Sequence, residues 1–205
     1  MPPLLPVTLA LIRDSMRSFT VFTLTGVKTT ISPVGIVSFL VAIPLLAWLA
    51  GRFLPLALGP ALLAGALSAA MMFVSEWLHQ MGHALAARRV GYPMIGIQFH
   101  SPLSTSVYPA DEPRLPPQTH IRRALGGFWV NLLTGLLLGL LAVYLWPRGG
   151  VAAWLAGFSA VYNFFVLGLG ALTPIDIPGV LTVDGGTLLR YWREERARAG
   201  KRRSG

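Results

Sequence analysis

Residues 73–91 read FVSEWLHQMGHALAARRVG and hold two of the four histidines of the chain, His79 and His83. On a helix, positions four apart share a face about 6 Å apart along the axis, so both imidazoles can reach one metal ion. Glu76 lies one turn earlier and, seven residues before His83, on nearly the same face. The stretch closes an apolar run that begins near residue 57. Hydrocarbon makes polar side chains costly, so Glu76, His79, Gln80 and His83 in or just beyond such a helix point to a site.

The rest of the chain must position that helix. Of 205 residues, 54% are hydrophobic and 12% charged, and the mean hydropathy is +0.61. That leaves too little polar surface for a water-soluble globule and implies a protein of the lipid bilayer. With no cysteines, disulfides, thiolate zinc sites and cysteine nucleophiles are excluded. The formal charge of +9 sits in the gaps between apolar runs and in a short tail. It reads as membrane topology, with no nucleic acid as partner.

Residues 3–12 are apolar but too short to span, and lack the basic leader and cleavage site of a signal peptide, so they read as an interfacial segment. Four spans follow, at about 34–50, 57–89, 124–146 and 151–172. The second is long enough to project beyond the bilayer core, and its small-residue half, ALGPALLAGALSAAMM, favours close helix contact. Between spans two and three, residues 91–120 lose the helical period. GYPMIGIQFHSPLSTSVYP suggests one or two short strands in a hairpin-like loop, and ADEPRLPPQTH a surface turn. His100 and His120 fall in this polar loop and read as solvated.

The third span opens on the pair Gly126-Gly127 and carries Asn131; the fourth carries Asn163. Either asparagine can join helices by hydrogen bonds, and for Asn163 packing is the reading taken. A Pro-rich segment, TPIDIPGVLTVDGG, leads to an amphipathic helix at about 187–199 within a basic tail, 187–205. The fold expected is an all-α membrane protein of about four transmembrane helices, with a small β-hairpin-like loop and a C-terminal amphipathic helix, in a single domain over 1–205.

Orientation follows from the basic residues. Of 17 Lys and Arg, only Arg52 and Arg148 lie on the two turns facing one side. The positive-inside rule therefore puts both termini in the cytoplasm, in a multi-pass protein of a prokaryotic-type inner or plasma membrane. His79 and His83 then approach the cytoplasmic end of the second span, and Asp184 follows the fourth. Three candidate ligands converge at one depth. Asp184 is also placed to cap the last helix, and Asp176 reads as a loop residue.

Three stretches together resemble the site-2 protease family of membrane-embedded zinc metallopeptidases. HQMGHALAARRVG is similar to the family's His-Glu-x-x-His motif and its Ala-Arg-Arg-x-Gly end. ALGGFWVN at 124–131 resembles its Gly-Pro-x-x-Asn region, and TPIDIPGVLTVDGG its Asn-x-x-Pro to Leu-Asp-Gly segment. They cover about 80–186 in the family's order. The resemblance implies one zinc ion held by His79, His83 and Asp184, and a site-lining role for Asn131. It also implies edge pairing of a substrate strand with the loop at 94–108, and a membrane protein or transmembrane peptide as substrate or partner.

Four positions depart from that pattern: Gln80 stands for the glutamate, Phe128 for the proline after the glycine pair, Thr173 for the asparagine, and Val-Asp-Gly for Leu-Asp-Gly. Gln80 occupies the position of the general base, which in zinc peptidases takes a proton from metal-bound water. An amide cannot accept that proton, and general-base help is worth roughly 10²- to 10⁴-fold. Hydrolysis is therefore expected to be impaired, whether Gln80 is a natural or an introduced residue. Glu76 is a substitute base only remotely, and is expected to orient His79 or to pair with an arginine. The alternative is a non-enzymatic membrane binding or assembly subunit that keeps the fold. A transporter is a weaker third, since no polar pathway crosses the bilayer.

Overall fold

The computed structural model describes residues 18–101, 103–177 and 181–203. The interfacial segment expected at 3–12 lies outside them. Four helical segments are long and apolar enough to cross a membrane: Pro33–Phe53, Leu58–Arg89, Pro117–Arg148 and Gly150–Leu172. The expected class is the one observed, an all-α membrane fold with a small β element.

Helix α1 (Pro33–Phe53) starts where Ser32 Oγ accepts from Gly35 N at 3.0 Å, with Pro33 just inside the end. Helix α2 (Leu58–Arg89) runs 32 residues, about 48 Å at the α-helical rise, and outreaches a hydrocarbon core of about 30 Å. Helix α3 (Pro117–Leu145) passes into a tight turn, and Gly149 and Gly150, both at positive φ, reverse the chain. Helix α4 (Gly150–Val161) continues as a π-helical stretch, Tyr162–Leu169, and a 3₁₀ turn, Gly170–Leu172. Helix α5 (Asp184–Arg203) closes the described chain.

Helix α3 begins earlier than the expected start near residue 124. Pro117 occupies the first turn, where a missing N–H costs nothing, so the surface turn ends at Pro116. His120 is consequently helical, and its ring stacks on Tyr191 of α5 at 3.9 Å and 4°. It is not a solvated loop histidine.

The sheet is larger than the sequence suggests. Strands β1 (Phe19–Leu24), β2 (Val27–Ile31), β3 (Gly96–Phe99) and β4 (Ser104–Val107) lie in the order β1-β2-β3-β4. β2 runs parallel to β3, and the other pairs are antiparallel. The hairpin of β3 and β4 is the expected one; the hairpin of β1 and β2 was not anticipated. Its signal is the two-residue turn Thr25-Gly26, both at positive φ, between β-branched stretches. A short strand pair Asp176–Ile177 and Leu181–Thr182, β5 and β6, precedes α5.

The sheet packs on the C-terminal half of α2 through Val27, Ala84, Ala87, Met94, Ile97 and Phe99, with Phe73 stacked on Phe99 at 4.5 Å. Fully burying a side chain such as Phe99 or Ile97 stabilises by about 1.5–3 kcal/mol. The spans, by contrast, leave Leu136, Leu137 and Leu140 exposed, as a lipid-facing surface does. Helices α2 and α3 meet backbone to backbone: a Cβ on Gly82 or on Gly126 would run into the other's carbonyl. Small residues allow that approach.

Candidate metal centre

Three elements deliver the site. α2 presents Glu76, His79, Gln80 and His83, all buried; α3 presents Arg123 and Asn131; Asp184 is the first residue of α5. Gly185 and Gly186 hold Asp184 in place, because their bare Cα atoms sit against the carbonyls of Leu172 and Ile175. Gly127 lets α3 close over the histidines. A Cβ there would stand 2.6 Å from both His79 Cε1 and His83 Nε2.

The two histidine Nε2 atoms lie 3.0 Å apart. Asp184 faces them both, with Oδ2 3.3 Å from His79 Nε2 and Oδ1 3.4 Å from His83 Nε2. Ligand atoms from the three residues all fall within 4.8 Å of one another. The tertiary structure thus brings together the two histidines singled out by their spacing and the aspartate named by the motif resemblance.

The opposite nitrogen of each ring meets an acceptor. His83 Nδ1 is 2.8 Å from the Arg123 carbonyl, and His79 Nδ1 is 2.9 Å from Asn131 Oδ1. An oxygen of that kind only accepts, so the proton belongs on Nδ1 and the lone pair on Nε2. The Gly127 N–H is 3.4 Å from His83 Nδ1, a longer contact that the Arg123 bond overrides. Two lone pairs and a carboxylate therefore converge, and Asp184 Oδ2 is buried without a donor.

Such a corner requires positive charge, as ring protons or as a metal ion. Burial opposes the charge of Asp184, yet positive charges on the His83 and His79 side of the corner outweigh it. They hold its carboxyl below the usual carboxylate range. Two neutral imidazoles and an ionised carboxylate are a zinc-type donor set, and the Nδ1 partners supply the orienting bonds that metal-bound histidines usually have. The residues present fit the ion.

Gln80 and Glu76 face strand β4. Ser106 Oγ donates to Gln80 Oε1 at 2.6 Å, and Gln80 Nε2 donates to the Ser104 carbonyl at 3.4 Å. Glu76 Oε1 accepts from Ser104 N at 2.9 Å and from Ser104 Oγ at 2.7 Å, while Oε2 is buried without a donor. Glu76 thus neither orients His79 nor pairs with an arginine, contrary to the sequence expectation. The match is geometric: a helical repeat of four residues, about 6 Å, comes close to a two-residue strand repeat of about 6.7 Å.

This contact occupies the edge of the sheet. The Val107 carbonyl accepts from Ile95 N on the β3 side, and strand alternation then turns Ser104 outward. Its N–H and carbonyl, which an added strand would use, are taken by Glu76 and Gln80. An amide suits that place, because a carboxylate has no donor for the Ser104 carbonyl.

A cavity of about 590 Å³ joins these groups, lined by Glu76, His79, Gln80, His83, Ser104, Ser106, Arg123 and Asp184 among others. Arg123, counted from sequence as a topology charge, is in fact buried. Its guanidinium bonds Glu112 at 3.0 and 3.1 Å and lies 3.4 Å over the Tyr108 ring. Asp176 remains outside the cluster, accepting from Thr182 Oγ1 at 2.7 Å. Asn131 donates to Asn163 Oδ1 at 2.8 Å, so the site extends to a residue read as packing. A polar residue inside an apolar span was the signal for it.

The sequence matches no protein-family profile and no curated protein. The fold is similar to a solved structure described as Site-2 Protease from Methanocaldococcus jannaschii, with a TM-score of 0.57 over 87% of this chain and 73% of that one. Identity between the two is 18%, so the likeness is one of fold.

Proposed function

We propose that the chain is a membrane-embedded, zinc-binding homologue of site-2 proteases with impaired peptide hydrolysis. One observation carries the reading: His79, His83 and Asp184 converge as acceptors while both Nδ1 atoms are committed to other oxygens. In this reading His79, His83 and Asp184 hold the ion, with Asn131 and the Arg123 carbonyl orienting the rings. Zinc, when bound, polarises a carbonyl and lowers the pKa of water.

The chain's own residues account for the impairment. Gln80 has no basic lone pair for a proton and is drawn to Ser104 and Ser106. Glu76, tied by one oxygen to Ser104, braces the strand and is not placed as a base. A transmembrane peptide or membrane-protein segment that enters the cavity is bound without efficient cleavage. The capped edge at Ser104 favours the alternative reading too, a binding or assembly subunit that takes no substrate strand. Both termini are cytoplasmic in either case.

Elemental analysis of the purified protein tests the reading, beside His83→Ala and Gln80→Glu, each assayed on transmembrane peptides. About one zinc per chain, lost in His83→Ala, is the expected result. Cleavage gained in Gln80→Glu identifies a protease held inactive at one residue; zinc without cleavage identifies the binding subunit. Absence of zinc from every form removes the metal reading.

A further inference from the structure

We infer that Asn163 is a positioning residue of this centre: through Asn131 it sets which ring nitrogen of His79 carries the proton, and so keeps Nε2 free as a ligand. The inference deepens the metal reading and rests on it for its consequence, but its geometry is independent of any ion.

The direction of every bond in the relay follows from one atom that cannot donate. Asn163 Nδ2 lies 2.8 Å from the Ser159 carbonyl and 2.8 Å from Ser75 Oγ. The carbonyl fixes that end of the side chain as the NH₂ group. Asn163 Oδ1 then faces Asn131 and must receive, which sets Asn131 Nδ2 against it at 2.8 Å. Asn131 Oδ1 is left facing His79 Nδ1 at 2.9 Å and must also receive. The proton of His79 is thereby assigned to Nδ1.

Turning Asn131 over would set two oxygens against each other next to Asn163 and direct an NH₂ at His79 Nδ1. Water cannot mediate an escape, because Asn131 and Asn163 are both 0% exposed. Local structure supports the placement. The π-helical stretch opens at Tyr162, one residue before Asn163. Just before that stretch the Ser159 carbonyl, which also accepts from the Tyr162 N–H, takes a second bond from the Asn163 side chain four residues on. Removing orienting partners of this kind typically lowers metal affinity by about 10- to 100-fold.

The test is nitrogen NMR of histidine-labelled, metal-free protein at alkaline pH, with the His79 signals assigned by their loss in His79→Ala. The wild-type protein is expected to carry the proton on Nδ1. In Asn163→Leu the proton moves to Nε2 or divides between the two nitrogens. Adding Asn131→Asp to Asn163→Leu returns it to Nδ1, since a carboxylate only accepts. Zinc titration runs in parallel, with affinity falling about 10- to 100-fold in Asn163→Leu and recovering in the double variant.

A wild-type Nε2 proton, which needs no variant to detect, overturns the inference. So does an unchanged proton position in Asn163→Leu, or no return in the double variant. If the proton behaves as expected and no form takes up zinc, the relay stands and the metal reading falls. If zinc binds and the proton position ignores Asn163, the relay falls and the metal reading stands.

Discussion

At the scale of the residue, Gln80 is the position where chemistry and packing meet. Its amide offers an acceptor to Ser106 Oγ and a donor to the Ser104 carbonyl, and no other uncharged side chain of that length offers both. Gln80→Glu replaces the donor by an acceptor and sets a charge against a carbonyl. A loss of about 1–3 kcal/mol is expected for the unsatisfied pair, measured as a lower thermal midpoint in detergent. An unchanged midpoint would mean that the Ser104 contact contributes little and that the side chain is free to turn toward the histidines.

At the scale of the element, glycine spacing on α3 sets how closely the helix covers the ligands. Gly127→Ala brings a methyl group against both imidazoles, 2.6 Å from their nearest atoms. Overpacking of that kind typically costs about 1–3 kcal/mol. Gly139 on the same helix meets only Ala160 Cβ, at 4.0 Å. Gly139→Ala is therefore expected to be neutral or to stabilise by up to about 1 kcal/mol through helix propensity. Zinc content is expected to fall in Gly127→Ala and to stay unchanged in Gly139→Ala. Equal zinc in both would separate the close approach from the site.

At the scale of the whole molecule, the arrangement of charge predicts orientation. With no cysteines in the chain, single introduced cysteines can be read against a silent background. Arg148→Cys, on the turn between the third and fourth spans, is expected to react with a membrane-impermeant maleimide in intact cells. Arg193→Cys, on α5, is expected to react only after lysis. The reverse pattern would place the sheet and the candidate centre on the other side of the membrane.

The sequence by itself determined what depends on local period and composition. Runs of apolar residues longer than a bilayer is thick can only be spans, and histidines four apart can only share a helix face. The four spans, the β3–β4 hairpin and the shared helix face of His79 and His83 were legible for that reason, while Asp184 was singled out through a motif resemblance. The N-terminal hairpin was not, because strand identity depends on a partner: β2 lies parallel to β3, about seventy residues on in sequence, and nothing local announces that pairing. The occupation of β4 by Glu76 and Gln80, the burial of Arg123 and the relay to Asn163 likewise required tertiary structure. Each depends on two elements meeting at hydrogen-bond distance, and a sequence lists donors and acceptors without the separations that decide which of them pair.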